Sequence, residues 1–152
     1  MCIRDSSPIY KEIYSGYLRL LGAEHKNTIL LANNYANSLI VLKHFEEAKE
    51  LLHKTMPVAR RVLGENHETA LRMRSTYALA LFNTGATLED LHEAVTTFEE
   101  IERTARRVFG GAHPTVSGME HNLRNARAKL AAREGDVESV REAVEAMAPG
   151  DA

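Results

Sequence analysis

Between residues 45 and 63, Phe45, Ala48, Leu51, Leu52, Thr55, Val58, Ala59, Val62 and Leu63 recur at spacings of three and four. Glu46, Glu47, Lys49, Glu50, Lys54 and Arg60 fall on the other side. This is the period of an amphipathic helix with one packing face and one solvated face. Read the same way, the chain predicts helices over about 8–21, 27–42, 45–63, 69–84, 89–109, 114–133 and 136–147, and no strand. Gly22, Gly64 and Gly110 stand where the first, third and fifth of these should stop. Thr87, with Asp90 three residues on, predicts an N-terminal cap, since its oxygen can accept an otherwise unpaired amide of the first turn. Pro114 suits a first helical position, where its missing N–H costs nothing, and Gly135-Asp136 is expected to supply a turn and a cap.

The pattern repeats. Leu21-Gly22-Ala23-Glu24-His25 recurs as Leu63-Gly64-Glu65-Asn66-His67 and, with Phe for Leu, as Phe109-Gly110-Gly111-Ala112-His113. The spacing is 42 residues from His25 to His67 and 46 from His67 to His113. Tyr35-Ala36 falls on Tyr77-Ala78, Glu47-Ala48 on Glu93-Ala94, and Ala59-Arg60-Arg61-Val62 on Ala105-Arg106-Arg107-Val108. A fixed period in this range marks stacked helical hairpins, so function belongs on a surface shared between repeats. The four extra residues of the later spacing lie between Gly85 and Leu91 and are expected to lengthen one turn between helices. Ala36, Ala48, Ala78 and Ala94 recur where two helix axes should approach closely. The expected organisation is a non-native or disordered leader at 1–7, a partial repeat at 8–24, repeats at 25–66, 67–112 and 113–147, and a frayed tail at 148–152. The chain thus reads as starting in the middle of an array.

Composition narrows the field. With 152 residues, 26% of them charged and 44% hydrophobic, there is enough material for one soluble unit with an elongated core. A net charge of -2 gives no general pull toward nucleic acid or an anionic membrane. No apolar run approaches the roughly 20 residues of a membrane span. The single cysteine, Cys2, excludes an internal disulfide framework and fits a reducing compartment, so a cytoplasmic location is expected.

The phrase Leu-Gly-x-x-His-x-x-Thr, the helix carrying Asn33-Asn34-Tyr35-Ala36 and the following Phe45-Glu46-Glu47-Ala48 together resemble the tetratricopeptide repeats of kinesin light chains and related 42-residue arrays. The resemblance spans nearly all of residues 8–147. Lys26 and Glu68 replace the proline usual after the histidine, which only Pro114 keeps, and Arg124 replaces Ala36 and Ala78 in the third copy, as in a terminal repeat. The resemblance implies an all-α, right-handed superhelix of antiparallel hairpins that binds a peptide or protein segment and has no chemistry of its own. It places an inner groove on the first helix of each hairpin, with Leu30, Asn33, Asn37, Ile40 and Val41, then Arg72, Ser75, Leu79, Phe82 and Asn83, then His121, Asn125 and Lys129. Asn amides there could hydrogen-bond an extended backbone, while Arg72 and Lys129 could pair with carboxylates, so a mildly acidic ligand is expected.

Other chemistry finds little purchase. His25, His67 and His113 are whole repeats apart, whereas zinc ligands must converge within about 2.0–2.3 Å of one ion, so these histidines are expected to pack or cap the joints. No metal or other cofactor is expected. No serine sits in a nucleophile elbow, and Gly110-Gly111 lacks the downstream Lys-Ser/Thr of a phosphate loop. Arg103–Arg107 and the arginines between 124 and 133 alternate with acids or lack interleaved aromatics, against a nucleic-acid stripe. The favoured function is a non-catalytic interaction scaffold; the alternative is a regulatory or structural repeat fragment of a larger enzyme. Ile9, Ile13 and Leu18 would leave an apolar end face through which the array could self-associate.

Overall fold

The computed structural model describes residues 7–84 and 87–148, which form six helices and no strand: α1 Ser7–Leu21, α2 Lys26–Val41, α3 Phe45–Leu63, α4 Glu68–Thr84, α5 Leu88–Phe109 and α6 Pro114–Met147. Each helix packs on its neighbour in sequence, and α2, α4 and α6 also touch in succession, giving an all-α solenoid. The expected leader falls outside the described residues except for Ser7, where α1 already begins, and of the tail only Ala148 is described.

The recurring phrase works as a stop and a start in one. Gly22, Gly64 and Gly110 adopt φ of 85°, 97° and 86°, a left-handed conformation that costs a residue without a Cβ little. Their amides bond back to the carbonyls of Leu18, Arg60 and Arg106 and so close α1, α3 and α5. Each glycine carbonyl then accepts from the amide of the histidine three residues on. The Nδ1 atoms of His25, His67 and His113 accept from the amides of Asn27, Thr69 and Thr115 at 3.1, 3.1 and 3.2 Å. Each histidine therefore satisfies a donor that the first turn of the next helix leaves unpaired. In the third copy the Phe109 and His113 rings stack with centroids 5.0 Å apart.

The core lies along the helix joints. Ile29, Ala32, Ala36, Leu52, Ala59, Ala70 and Met73 join α2, α3 and α4, while Ala78, Leu91, Ala94, Phe98 and Leu123 join α4, α5 and α6. Ala36, Ala48, Ala78 and Ala94 are all fully buried, as close axial approach requires. Packing on both sides of Pro57, at Leu52, Thr55 and Ala59, carries α3 through a residue that removes one rung of its hydrogen-bond ladder.

Two expectations are corrected. The four-residue insertion does not lengthen a turn: three residues join α2 to α3 and three join α4 to α5. Against the first repeat, α4 instead runs one residue further and α5 starts three residues earlier. Thr87 sets that start, accepting from the Asp90 amide at 3.1 Å, and Leu88 rests on the core. Residues 85 and 86 lie outside the described residues. The second correction concerns the third hairpin, which does not form; α6 runs unbroken for 34 residues through Gly135-Asp136. The reason is on its surface. Where α2 and α4 bury Ala36 with Leu39 and Ala78 with Leu81 against a second helix, α6 carries Arg124 and Arg127, both exposed. Arg127 pairs with Glu99 at 2.8 Å, and its neighbour Glu120 pairs with Arg106. A charged surface offers a returning helix nothing to bury, so the chain keeps its helical bonds instead.

Candidate functional site

The first helices α2, α4 and α6 share one face, and a hollow of about 320 Å³ opens on it. Asn37 of α2 lines it, with Arg72, Ser75, Thr76 and Leu79 of α4 and Pro114, Thr115, Gly118, Met119 and Asn122 of α6. Gly118 stands where the first two repeats have Leu30 and Arg72, and a Cβ there would meet nothing within 4 Å, so the wall is low on this side.

Polar side chains tie the three helices together across the floor. The Thr76 hydroxyl donates to Asn37 Oδ1 at 2.9 Å, joining α2 to α4. The Thr115 hydroxyl donates to Glu68 Oε1 at 2.8 Å, while Arg72 reaches Thr115 Oγ1 at 3.2 Å and Glu68 at 2.9 Å, joining α4 to α6. This network holds the Glu68 carboxyl below its usual pKa, chiefly through the Thr115 hydrogen bond, with the Arg72 charge adding to it against an opposing effect of burial. Arg72 is thus anchored at one edge, yet about half of its side chain, 52%, is exposed. The Asn37 and Asn122 amides offer both donors and acceptors.

Of the thirteen groove residues expected from sequence, the hollow brings together Asn37, Arg72, Ser75 and Leu79. Leu30 and Val41 are exposed on α2 at helical spacings from Asn37, with Asn34 between them, and extend the same face. Asn33 is buried, 2% exposed, with its Oδ1 unpaired, and Ser75 is also largely covered. Ile40 belongs to the apolar contact of α2 with α3, and Asn83 is exposed and donates to the Leu79 carbonyl. His121 and Asn125 lie 3.2 Å apart along exposed α6, outside the hollow. Lys129 donates to the Phe82 carbonyl at 2.8 Å and sits 4.5 Å from the centre of the Phe82 ring, so these two residues bind the end of α4 to α6. Thr76, Thr115 and Asn122 were missed. Two of them stand one position past the expected stripe, since Asn34, Thr76 and Asn122 are equivalent across the repeats.

No group of three or more possible metal ligands occurs among the described residues, and no described helix is long and apolar enough to cross a membrane.

Residues 28–69 match the family described as tetratricopeptide repeat. Among solved structures, the chain is similar to two crystal structures of the nearly identical tetratricopeptide-like repeats of a proposed kinesin light chain from Podosopora anserina, one of them a single-site variant. The identity is 19% in both, with TM-scores of 0.64 for the variant and 0.61. Each match covers 93% of this chain and 64% of the other, so the chain spans somewhat under two thirds of those structures. No curated protein matches the chain.

Proposed function

We propose that this chain, a tetratricopeptide repeat array of the kinesin light chain-like type, is a non-catalytic scaffold that holds an extended peptide or protein segment on the face shared by α2, α4 and α6. The observation that carries this is the hollow at Asn37, Thr76 and Asn122, where amides and hydroxyls from three successive repeats converge on one exposed surface. An extended peptide needs such partners at intervals, because each of its backbone N–H and C=O groups leaves water on binding. Arg72 adds one place for an acidic side chain, which would share the guanidinium with Glu68. Lys129, committed to Phe82, adds none. The absence of a membrane-spanning helix among the described residues is compatible with the cytoplasmic placement we favour.

The reading is tested by selecting displayed random peptides on the full chain and measuring the best binder against Asn34→Ala with Asn122→Ala, two amides of this face that tie no helices together. Loss of two buried hydrogen bonds should weaken binding by about ten- to a hundredfold. Binding unchanged by the pair would move the site elsewhere. Arg72 is a poor probe, because replacing it also breaks the tie between α4 and α6.

A second association follows from the exposed apolar face of α1, where Ile9 is 59% and Ile13 is 40% exposed. We read this face as a surface for self-association.

A further inference from the structure

α1 packs on α2 through Tyr10 and Tyr14. Another side of the helix is apolar and uncovered: Ile9, Ile13 and Leu20 are exposed and, with Gly16 between the last two, follow spacings of four, three and four, which puts them on one stripe. Gly16 is the odd residue in it. A glycine weakens a helix interior, and the equivalent residues of α3 and α5 are Val58 and Thr104. A Cβ on Gly16 would meet nothing within 4 Å, so no contact inside this chain requires a glycine there.

The charges beside the stripe are the second odd feature. Glu12 and Arg19 are seven residues apart and so lie on the same flank of it. Both are exposed, and neither side chain has an ion-pair partner among the described residues.

A second copy of α1, laid antiparallel across the stripe about a two-fold axis between Ser15 and Gly16, accounts for both features. Such an axis brings each flank against the same flank of the other copy, with residue order reversed. Glu12 then stands level with Arg19 of the second copy, and the pair forms twice. Leu20 falls between the levels of Ile9 and Ile13 of the second copy, as a side chain fills a gap between two others in packed helices. The two glycines meet at the crossing, where the lack of side chains lets the helix axes approach closely. One register produces all three matches, which an unrelated apolar surface would have no reason to do.

We propose that α1 is the two-fold interface of a homodimer, crossing at Gly16 and keyed by two Glu12–Arg19 pairs. This rests on the reading of the α1 face as a surface for self-association and gives that surface its partner and register. A single pair of short helices is small beside the roughly 1,200–2,000 Å² of a standard interface, so the dimer is weak and reversible. α1 supplies no residue to the hollow, so each copy keeps its own groove.

The test is sedimentation equilibrium of the full chain at concentrations up to about 1 mM, the range of a weak dimer. Glu12→Arg and Arg19→Glu each set like charges together when the variant meets itself, and opposite charges when the two variants are mixed. We expect each alone to dimerise about tenfold more weakly than the original chain and the equimolar mixture to recover the original affinity. Gly16→Leu should raise the melting temperature of the dilute chain, because it removes a helix-weakening residue, yet abolish the dimer by filling the crossing. Circular dichroism checks that each variant is folded. A mixture no tighter than its components, or a Gly16→Leu chain that still dimerises, would overturn the register; if that dimer nevertheless falls to Ile9→Asp with Ile13→Asp, self-association through α1 stands without it. A chain that stays monomeric at the highest concentration would overturn both.

Discussion

At the scale of single residues, the histidines of the recurring phrase carry much of the architecture. Their Nδ1 atoms do for α2, α4 and α6 what Ser, Thr, Asp or Asn side chains do for most helices. His67→Ala should cost about 1 kcal/mol of stability, and His67→Asn should recover most of it, because an Asn oxygen can accept the same amide. Chemical denaturation of both variants checks this; equal losses would mean that the ring matters for packing and the cap does not. The joint role of these histidines was legible in the sequence from their period alone, since residues a full repeat apart cannot converge on one ion. The atom that does the capping was not, because a sequence does not show which ring nitrogen faces which amide. Thr76 and Asn122, which line the hollow one position past the expected stripe, were not legible for a similar reason. In Asn33-Asn34 the pattern offers two amides side by side, and only packing decides that Asn33 is buried and Asn34 exposed.

At the scale of elements, the six helices follow the apolar period closely, and their ends follow the glycines. The exceptions are informative. Gly135-Asp136 is a plausible turn locally, but a hairpin forms only if the returning helix finds a surface to cover, and Arg124 and Arg127 deny it one. Arg124 was already the odd residue in the sequence; its consequence for the helix after it needed the structure. Since a Cβ at Gly135 meets nothing within 4 Å, Gly135→Ala should stabilise α6 by about 0.5–1 kcal/mol and raise helical ellipticity. A fall in either would indicate a turn there. Glu68 gives the tie between α4 and α6 a pH signature. Its folded pKa lies below the ordinary 4.5, so its contribution is present above that pH and is lost as pH falls through the lowered value. Acid unfolding monitored by circular dichroism should show this loss below about pH 4.5, and Glu68→Gln should flatten that part of the profile. An identical acid profile in the variant would remove Glu68 from the account.

At the scale of the molecule, a solenoid has no single active cleft; each repeat contributes one strip of a shared face. Apolar side chains are left exposed at α1 and along Val137, Val140, Val144 and Met147 of α6. Ile9→Asp with Ile13→Asp should render the chain monomeric by light scattering if the α1 face drives self-association, and an oligomer that persists would exclude that face. The central claim concerns the other surface, the one built from α2, α4 and α6. It is tested most directly by mapping backbone amide shifts of the full chain on titration with a selected extended peptide. The account predicts the largest shifts at Asn37, Thr76, Thr115 and Asn122, with α3 and α5 little changed; shifts concentrated on α3 and α5 would contradict it.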